Sequence, residues 1–362
     1  MPEKDYLHEF LQYAHDRQAT DMHLCPGSKP LIRVNGQLAE IDETGIPEPG
    51  FVTVAMINDM IDIMLNDAKK KVLQDKKVID FSFSKPGMGR FRANIYSQRG
   101  SFAVAIRMLP FEIPQFSDLG LPAVVESFTS KSRGLFLVTG ATGSGKSTTM
   151  ASLINIINER YNYHIITIED PIEYLHRHKR SLVTQREVGE DAESFATALR
   201  SALREDPDVI MVGEMRDPET IAIALSAAET GHLVISTLHT VGAAKSIDRI
   251  MDAIPPAQQN QIRSQFATIC EGIISQQLLP RIDQPGLVMA SEVMFVNPAI
   301  RNLIREGKQF QINSIMQTGQ SQGMQLMEED LARLCNANII SKEEATLRAS
   351  DQQLLHQFLH RR

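Results

Sequence analysis

The octapeptide Gly140-Ala141-Thr142-Gly143-Ser144-Gly145-Lys146-Ser147 fits the pattern G-x-x-x-x-G-K-[ST] without a mismatch, and a chain that carries it can fold in few ways. Such a loop works only between a buried strand and a helix that opens at its end. Both are legible: the apolar run Leu135-Phe136-Leu137-Val138 leads in, and Met150, Leu153, Ile154 and Ile157 follow at helical spacing. Glycines 140, 143 and 145 let successive amides turn inward. Lys146 adds a point charge for the β- and γ-phosphates, and the helix N-terminus adds a partial positive charge. The stretch predicts a cradle for a nucleoside triphosphate such as ATP, with Thr142, Gly143, Ser144, Gly145, Lys146, Ser147 and Thr148 as contacts and the Ser147 hydroxyl holding Mg²⁺. A glycine-rich turn that binds nothing is the competing reading, and the agreement of strand, glycines, lysine and helix argues against it.

At 362 residues the chain exceeds what one core usually supports, so two domains are expected. The apolar runs fall far short of the ~18 residues of a membrane span. Glu3, Lys4, Asp5 and His8 interrupt any signal peptide, so a cytoplasmic protein is expected. Cys25, Cys270 and Cys335 stand far apart and suggest neither a disulfide framework nor a zinc knuckle. A formal net charge of −7 argues against a chain whose main task is coating nucleic acid.

Along the chain, Leu7, Phe10, Leu11 and Ala14 recur with the period of an amphipathic helix. Residues 31–34 and 37–41 read as strands about an Asn35-Gly36 turn, followed by a helical stretch over residues 54–73. Alternation at Ile79, Phe81 and Phe83, at Phe91, Ala93 and Ile95, and at Phe102, Val104 and Ile106 predicts three more strands and a small α+β domain. Within it Arg90 and Arg92 share a strand face, with Arg99 and Arg107 close by. Composition alone reads them as a solvated sheet face; guanidinium chemistry equally suits an anion-binding surface.

Pro110, Pro114 and Pro122 mark a linker, and the period then changes to strands alternating with helices, the pattern of a parallel α/β sheet. Strands are expected at 135–139, 165–169, 209–213 and 233–238. One helix runs through Phe195, Ala198, Leu199, Ala202 and Leu203 to Asp206-Pro207, and another opens with Asp217 as N-cap and Pro218 at N1. The C-terminal third reads as mostly helical, with Ile262, Phe266, Ile269 and Ile273 on one long stripe, a capping box at Ser341 and Glu344, and a last helix through Leu354, Leu355, Phe358 and Leu359. Met324 and Met327 read as core filler.

Hydrolysis needs a carboxylate near the γ-phosphate at a neighbouring strand end. Val209 to Val212 is followed by Gly213-Glu214, and Ile165 to Ile168 by Glu169-Asp170. Gly213 stands where an Mg²⁺-associated Asp often sits, which leaves Glu214 to activate water and to reach the metal through water. Helix N-capping is the competing reading for these carboxylates, Asp170 above all. His232 and His239, seven residues apart, fall on opposite faces of an ideal strand and are not joint metal ligands; His239 could donate to the γ-phosphate.

Several motifs together resemble the type II/IV secretion ATPase superfamily: the loop at 140–147, the acidic box at 167–174, the run from Asp206 to Asp217, and the histidine box spanning 228–232 and 237–240. Ala299-Ile300-Arg301-Asn302-Leu303-Ile304-Arg305-Glu306 resembles the motif of its type IV pilus retraction branch. The extension and type II secretion branches usually carry a longer N-terminal region and a four-cysteine zinc site, and this chain, with three scattered cysteines, is expected to have neither. The resemblance implies an α/β chain with a PAS-like α+β domain at 1–109, a linker at 110–119 and a RecA-like ATPase domain with C-terminal helices at 120–362. It implies a homo-hexamer that hydrolyses ATP to withdraw pilins, peripheral at the inner face of the cytoplasmic membrane. Its partners would be an inner-membrane platform protein and a paralogous ATPase, with no nucleic acid. By resemblance, Glu214 is the catalytic glutamate, Glu169 the acidic-box glutamate, His232 and His239 the histidine-box sensors, and Arg92 and Arg107 the N-terminal arginines that approach nucleotide phosphates, with Arg90 and Arg99 as second choices. On the helix at 298–306, Ile300, Leu303 and Ile304 form the packing stripe, while Arg301, Asn302 and Arg305 remain outside, either as a solvated face or as a contact needed for retraction.

Overall fold

The computed structural model describes residues 5–34, 36–41, 50–85, 87–109 and 112–360. The chain divides into two units, the first comprising Met1–Glu112 with Glu173–Leu175, the second Ile113–Ile172 with His176–Arg362. Asn35 of the expected turn and Pro110 and Phe111 of the expected linker lie outside the described residues.

In the first unit Asp5 caps α1 (Tyr6–Asp16), and Leu7, Phe10, Leu11 and Ala14 are buried as their spacing predicts. Strands β1 (Asp21–Leu24), β2 (Leu31–Val34) and β3 (Gln37–Glu40) are followed by α2 (Val54–Met64), α3 (Asp67–Lys76), β4 (Val78–Lys85), β5 (Gly89–Gln98) and β6 (Ser101–Met108). The strands form one sheet in the order β3-β2-β1-β6-β5-β4. The single helical stretch expected over 54–73 is two helices: Leu65 is extended, and the Asn66 side chain takes the Lys69 amide, so a new helix starts there. Strand β1 was not expected; at four residues it is too short for its alternation to stand out. Arg99 and Gly100, both at positive φ, turn β5 into β6.

The second unit is built on a sheet in the order β13-β12-β7-β11-β10-β8-β9. Its strands are β7 (Gly134–Thr139), β8 (His164–Glu169), β9 (Leu182–Glu187), β10 (Val209–Val212), β11 (Leu233–Leu238), β12 (Cys270–Pro280) and β13 (Leu287–Phe295). The pairs from β12 through β9 are parallel, and β13 runs antiparallel to β12. Its helices are α4 (Lys146–Arg160), α5 (Phe195–Ala202), α6 (Pro218–Glu229), α7 (Ala243–Ala253), α8 (Pro256–Ile269), α9 (Pro298–Glu306), α10 (Ile312–Thr318), α11 (Met327–Asn336), α12 (Lys342–Arg348) and α13 (Gln352–Leu359).

Central strand β7 shows why helices cover both faces. Leu135 and Leu137 enter the core shared with α5, α6 and α8, while Phe136 and Val138 enter the core shared with α4, and all four are fully buried. Asp217 caps α6 through the Thr220 amide and Pro218 opens it, as the sequence predicts. No helix starts at Asp170, so capping does not explain that acid.

The C-terminal third departs from expectation. Helix α8 ends at Ile269, and Ile273, expected on its stripe, lies in β12. Strands β12 and β13 are buried on both faces over most of their length, so neither shows the alternation that marks a strand in sequence. The C-terminal helices follow prediction: Ser341 takes the Glu344 amide, Leu355 is buried, and Met324 and Met327 are core residues.

Candidate nucleotide site

The loop after β7 enters α4 with Gly140 at φ 144°, Gly143 at 78° and Gly145 at 86°. Gly140 is required by crowding as well as by φ: a Cβ there would lie against the Gln276 carbonyl and 2.5 Å from Ser144 Oγ. Gly145 stands at the N-cap of α4 and makes no side-chain cap. A helix that opens on a glycine with no side-chain cap is the kind of N-terminus that suits a phosphate. The Lys146 ammonium folds back onto the loop and donates to the carbonyls of Gly140 and Ala141, at 2.9 Å each. Ser147 and Thr148, half-buried, continue the first turn.

Parallel pairing sets the carboxylates in place. In a parallel sheet the C-terminal ends of β7, β11, β10 and β8 share one edge. Glu214 follows β10, about 10 Å to the side of β7 by strand spacing, and His239 follows the intervening β11. A pocket of ≈ 490 Å³ opens there, lined by Thr142 of the loop together with Glu214, Arg216, His239 and Arg249. Glu214 Oε2 lies 2.6 Å from Arg216 Nε and 3.2 Å from His239 Nε2. The Glu214 side chain is 13% exposed and that of Arg216 71%, so the ion pair sits at the solvent edge and holds the carboxylate only weakly.

Gly213, which departs from the usual Asp at that place, has a physical reason. Its amide bonds to the Ile168 carbonyl at 2.8 Å, and a Cβ would meet that oxygen at 3.2 Å and the Cα of Glu169 at 3.4 Å. The end of β8 crowds a side chain at this place, since the Ile168 carbonyl would have to give by a few tenths of an ångström, whereas Glu214 stands one residue on.

The structure does not bring all the expected residues together. Glu169 ends β8, one strand beyond Glu214, where it accepts from Thr167 Oγ1 at 2.6 Å and Gln185 Nε2 at 3.1 Å. His232 precedes β11, at the far end of that strand from His239, with its Nδ1 2.9 Å from the Ala227 carbonyl. Arg92 and Arg107 belong to the first unit. They face each other directly across β5 and β6, and Asp21 on β1 lies opposite Arg107 and binds its Nε at 2.9 Å. Burial pushes the Asp21 carboxyl up, but hydrogen bonds from Arg107 and Thr20 outweigh it and leave the group below its ordinary range. Arg90 is on the same face and donates to Ser84 at 3.3 Å, while Arg99 occupies the hairpin tip. Among the described residues no cluster of His, Cys, Asp or Glu could hold a metal by itself.

Helix α9 corrects one expectation. Asn297 caps it, Gly307 ends it at φ 70°, and Ile300 and Ile304 are fully buried. Arg301, expected outside, turns inward: its Nη1 donates to the Ala267 carbonyl at 2.5 Å and to the Thr268 carbonyl, at the C-terminal end of α8. Its Nη2 reaches the Val296 carbonyl and approaches Glu271. Arg301 lies three residues before Ile304, at the border of the packing stripe, and its long side chain reaches back under the helix. Asn302 and Arg305 are exposed, as expected.

Sequence reasoning missed Arg216 and Arg249 as pocket residues. Arg216 stands two residues beyond Glu214, a proximity that could have singled it out; Arg249 sits on the polar side of α7, where nothing in the sequence distinguishes it from a solvated face.

The family model described as "Type II/IV secretion system protein" matches residues 2–354. The chain belongs to that family. Among its relatives, a twitching motility protein of Neisseria gonorrhoeae is 47% identical over 324 residues, 90% of this chain and 85% of the relative. The type IV pilus retraction ATPase PilT of Pseudomonas aeruginosa is 44% identical over 341 residues, 94% of this chain and 97% of the relative. The crystal structure of the pilus retraction motor PilT with bound ADP aligns with a TM-score of 0.90 at 47% identity, over 98% of this chain and 100% of that one. The α/β architecture of this secretion-family chain is thus that of a retraction ATPase. No helix among its described residues is long and apolar enough to cross a membrane.

Proposed function

We propose that this secretion-family ATPase hydrolyses ATP in a hexameric ring and uses the work to retract type IV pili. The observation that carries the reading is the shared pocket of Thr142, Glu214 and His239: a phosphate loop and a water-activating carboxylate at one sheet edge, in a chain whose relatives bear the names of retraction ATPases. The first-turn amides of α4, with Lys146, bind the phosphates, and Thr142, Gly143, Ser144, Gly145 and Thr148 line them. The Ser147 hydroxyl opens the helix that follows the loop, as a Mg²⁺ ligand would, and the ion would neutralise charge on the β- and γ-phosphates. Glu214 takes the proton from the attacking water, with Arg216 and His239 as its neighbours at the pocket's edge. Glu169 supports this edge of the sheet through Thr167 and Gln185, and His232, at the opposite end of β11, is the second histidine-box sensor.

The N-terminal domain, residues 1–109, is PAS-like, joined by a linker at 110–119 to a RecA-like domain at 120–362. Arg92 and Arg107, paired across β5 and β6, are the arginines of the first unit suited to bind nucleotide phosphates. Motion passes to an inner-membrane platform protein at the cytoplasmic face. The exposed residues of α9, Asn302 and Arg305, are the surface on which that contact depends. Imaging of pilus retraction in a strain carrying Lys146→Ala tests the function, with loss of retraction expected. Steady-state ATPase of the purified chain alone distinguishes a motor from an accessory ring that works only beside a paralogue.

Arg301 needs a test separate from its neighbours. Arg301→Ala removes charge-assisted hydrogen bonds from the end of α8 and is expected to cost about 2 kcal/mol, a fall in Tm of about 5 °C. Asn302→Ala with Arg305→Ala should leave Tm and ATPase activity unchanged and stop retraction. A double variant that retracts normally removes α9 from the mechanism.

A further inference from the structure

Strand β12 pairs with β7 and so runs beside the strand that feeds the phosphate loop. Gln276 on β12 touches the loop at both ends: its Nε2 donates to the Ser144 carbonyl at 2.8 Å, and its own carbonyl lies over Gly140. The preceding residue, Ser275, is the cross-strand partner of Glu292 on β13. These two side chains take successive amides at the start of α7, Ser275 Oγ from Gly242 at 2.8 Å and Glu292 Oε1 from Ala243 at 2.6 Å. Three residues earlier the chain presents His239 to Glu214. Thr240 is tied to the same turn through Ser246, whose hydroxyl also donates to the Gly242 carbonyl.

None of the three side chains faces solvent: Ser275 and Gln276 are 0% exposed and Glu292 6%. Packing alone does not account for a buried carboxylate here, because an apolar side chain of similar volume would be at least as stabilising. What an apolar residue cannot do is fix two backbone amides.

We infer that Gln276 and the Ser275–Glu292 pair are positioning residues for hydrolysis, Gln276 setting the phosphate loop and the pair setting the turn that carries His239 to Glu214. The inference rests on the hydrolytic reading of the Glu214 pocket. The two arms act on different steps. Releasing the Ser144 carbonyl loosens the loop and weakens nucleotide binding. Releasing the Gly242 and Ala243 amides lets the start of α7 drift, so the Glu214–His239 contact lengthens and the chemical step slows.

Glu292 adds a signature that a purely structural residue would lack. Its carboxylate accepts from the Ala243 and Met327 amides, and the ionised form binds both more strongly than the neutral acid does. Burial pushes its carboxyl up to about 7; the Ala243 amide pulls down, Glu328 pushes up, and the Met327 amide and Lys245 pull down. The charged groups around it are Glu328 and Asp330 of α11, the latter bound to the neighbouring Ser291 amide, and Lys245 of α7; β12 contributes the uncharged Ser275 and Gln276. The acid is raised above its ordinary 4.5, so the folded state favours the protonated form: its stabilising share is complete below pH 4.5 and is lost as pH rises through about 7. The ionised form, which holds both amides more firmly, accumulates over the same upper range, so turnover is expected to gain as stability is lost.

The test uses the purified full chain with ATP and Mg²⁺, measuring steady-state ATPase activity across pH, equilibrium binding of a fluorescent ATP analogue, and Tm. Gln276→Met should raise Kd and KM about 10-fold with kcat changed less than about twofold. Glu292→Gln should lower kcat about 10-fold with Kd held within about twofold, and should abolish the rise in kcat through pH 7 expected of the parent. Ser275→Ala carries the kcat arm if Glu292→Gln does not fold. Variants that shift KM and kcat alike, that alter only Tm, or that retain the pH 7 limb overturn the inference. Failure of the underlying reading looks different: Glu214→Gln would then turn over normally.

Discussion

Glu214→Gln should bind ATP as tightly as the parent and hydrolyse it about 10²–10⁴-fold more slowly. The substitution keeps the shape and one accepting oxygen, so the contacts of Arg216 and His239 are only partly disturbed. It removes the basicity that the attacking water requires. Because the side chain is 13% exposed and carries its partners at the pocket's edge, little fold stability depends on it, and Tm should move by less than about 2 °C. Single-turnover hydrolysis beside nucleotide binding is the decisive pair of measurements. Normal turnover would falsify the assignment of the base, and loss of binding would place Glu214 in substrate recognition instead.

Gly140→Ala should be nearly as damaging by an unrelated route. A Cβ at φ 144° is strained, at a cost of about 1–3 kcal/mol, before any neighbour is considered. The neighbours here are the Gln276 carbonyl, a backbone atom that cannot swing aside, and Ser144 Oγ at 2.5 Å. Relief requires the loop to move off β12, which displaces the amides that would meet phosphate. Nucleotide affinity should fall at least about 10-fold, equivalent to ~1.4 kcal/mol, with a lower Tm as well. Gly143→Ala is the matched control: its φ of 78° is also positive, but no atom lies within 4 Å of the added Cβ. Similar losses for both variants would mean that backbone strain, not contact with β12, sets the effect.

The parts of the fold that were legible in sequence are those where one side chain settles a local question. The loop's glycines, Asp217 with Pro218, and the apolar runs of β7, β8, β10 and β11 each name a conformation and a neighbour. The edge of the same sheet was not legible. Strands β12 and β13 are buried on both faces and follow directly on α8, so Ile273 continues the helical stripe of Ile262, Phe266 and Ile269 by coincidence of spacing. The candidate site divides the same way. Glu214 could be placed because it ends a strand, whereas Gln276 and Glu292 act across a sheet edge whose existence was itself hidden. Arg301 was misplaced because a helical wheel records where a side chain leaves the helix, not where a long one ends.

The ammonium of Lys146 gives the phosphate loop an internal competitor. Two carbonyls of the loop itself, those of Gly140 and Ala141, already take the charge that a triphosphate would claim. A phosphate that draws on the same ammonium shares it with these carbonyls, so part of its attraction is offset within the loop. A site of this kind gives up affinity for speed of exchange, which suits a machine that must let go of its spent fuel once per stroke.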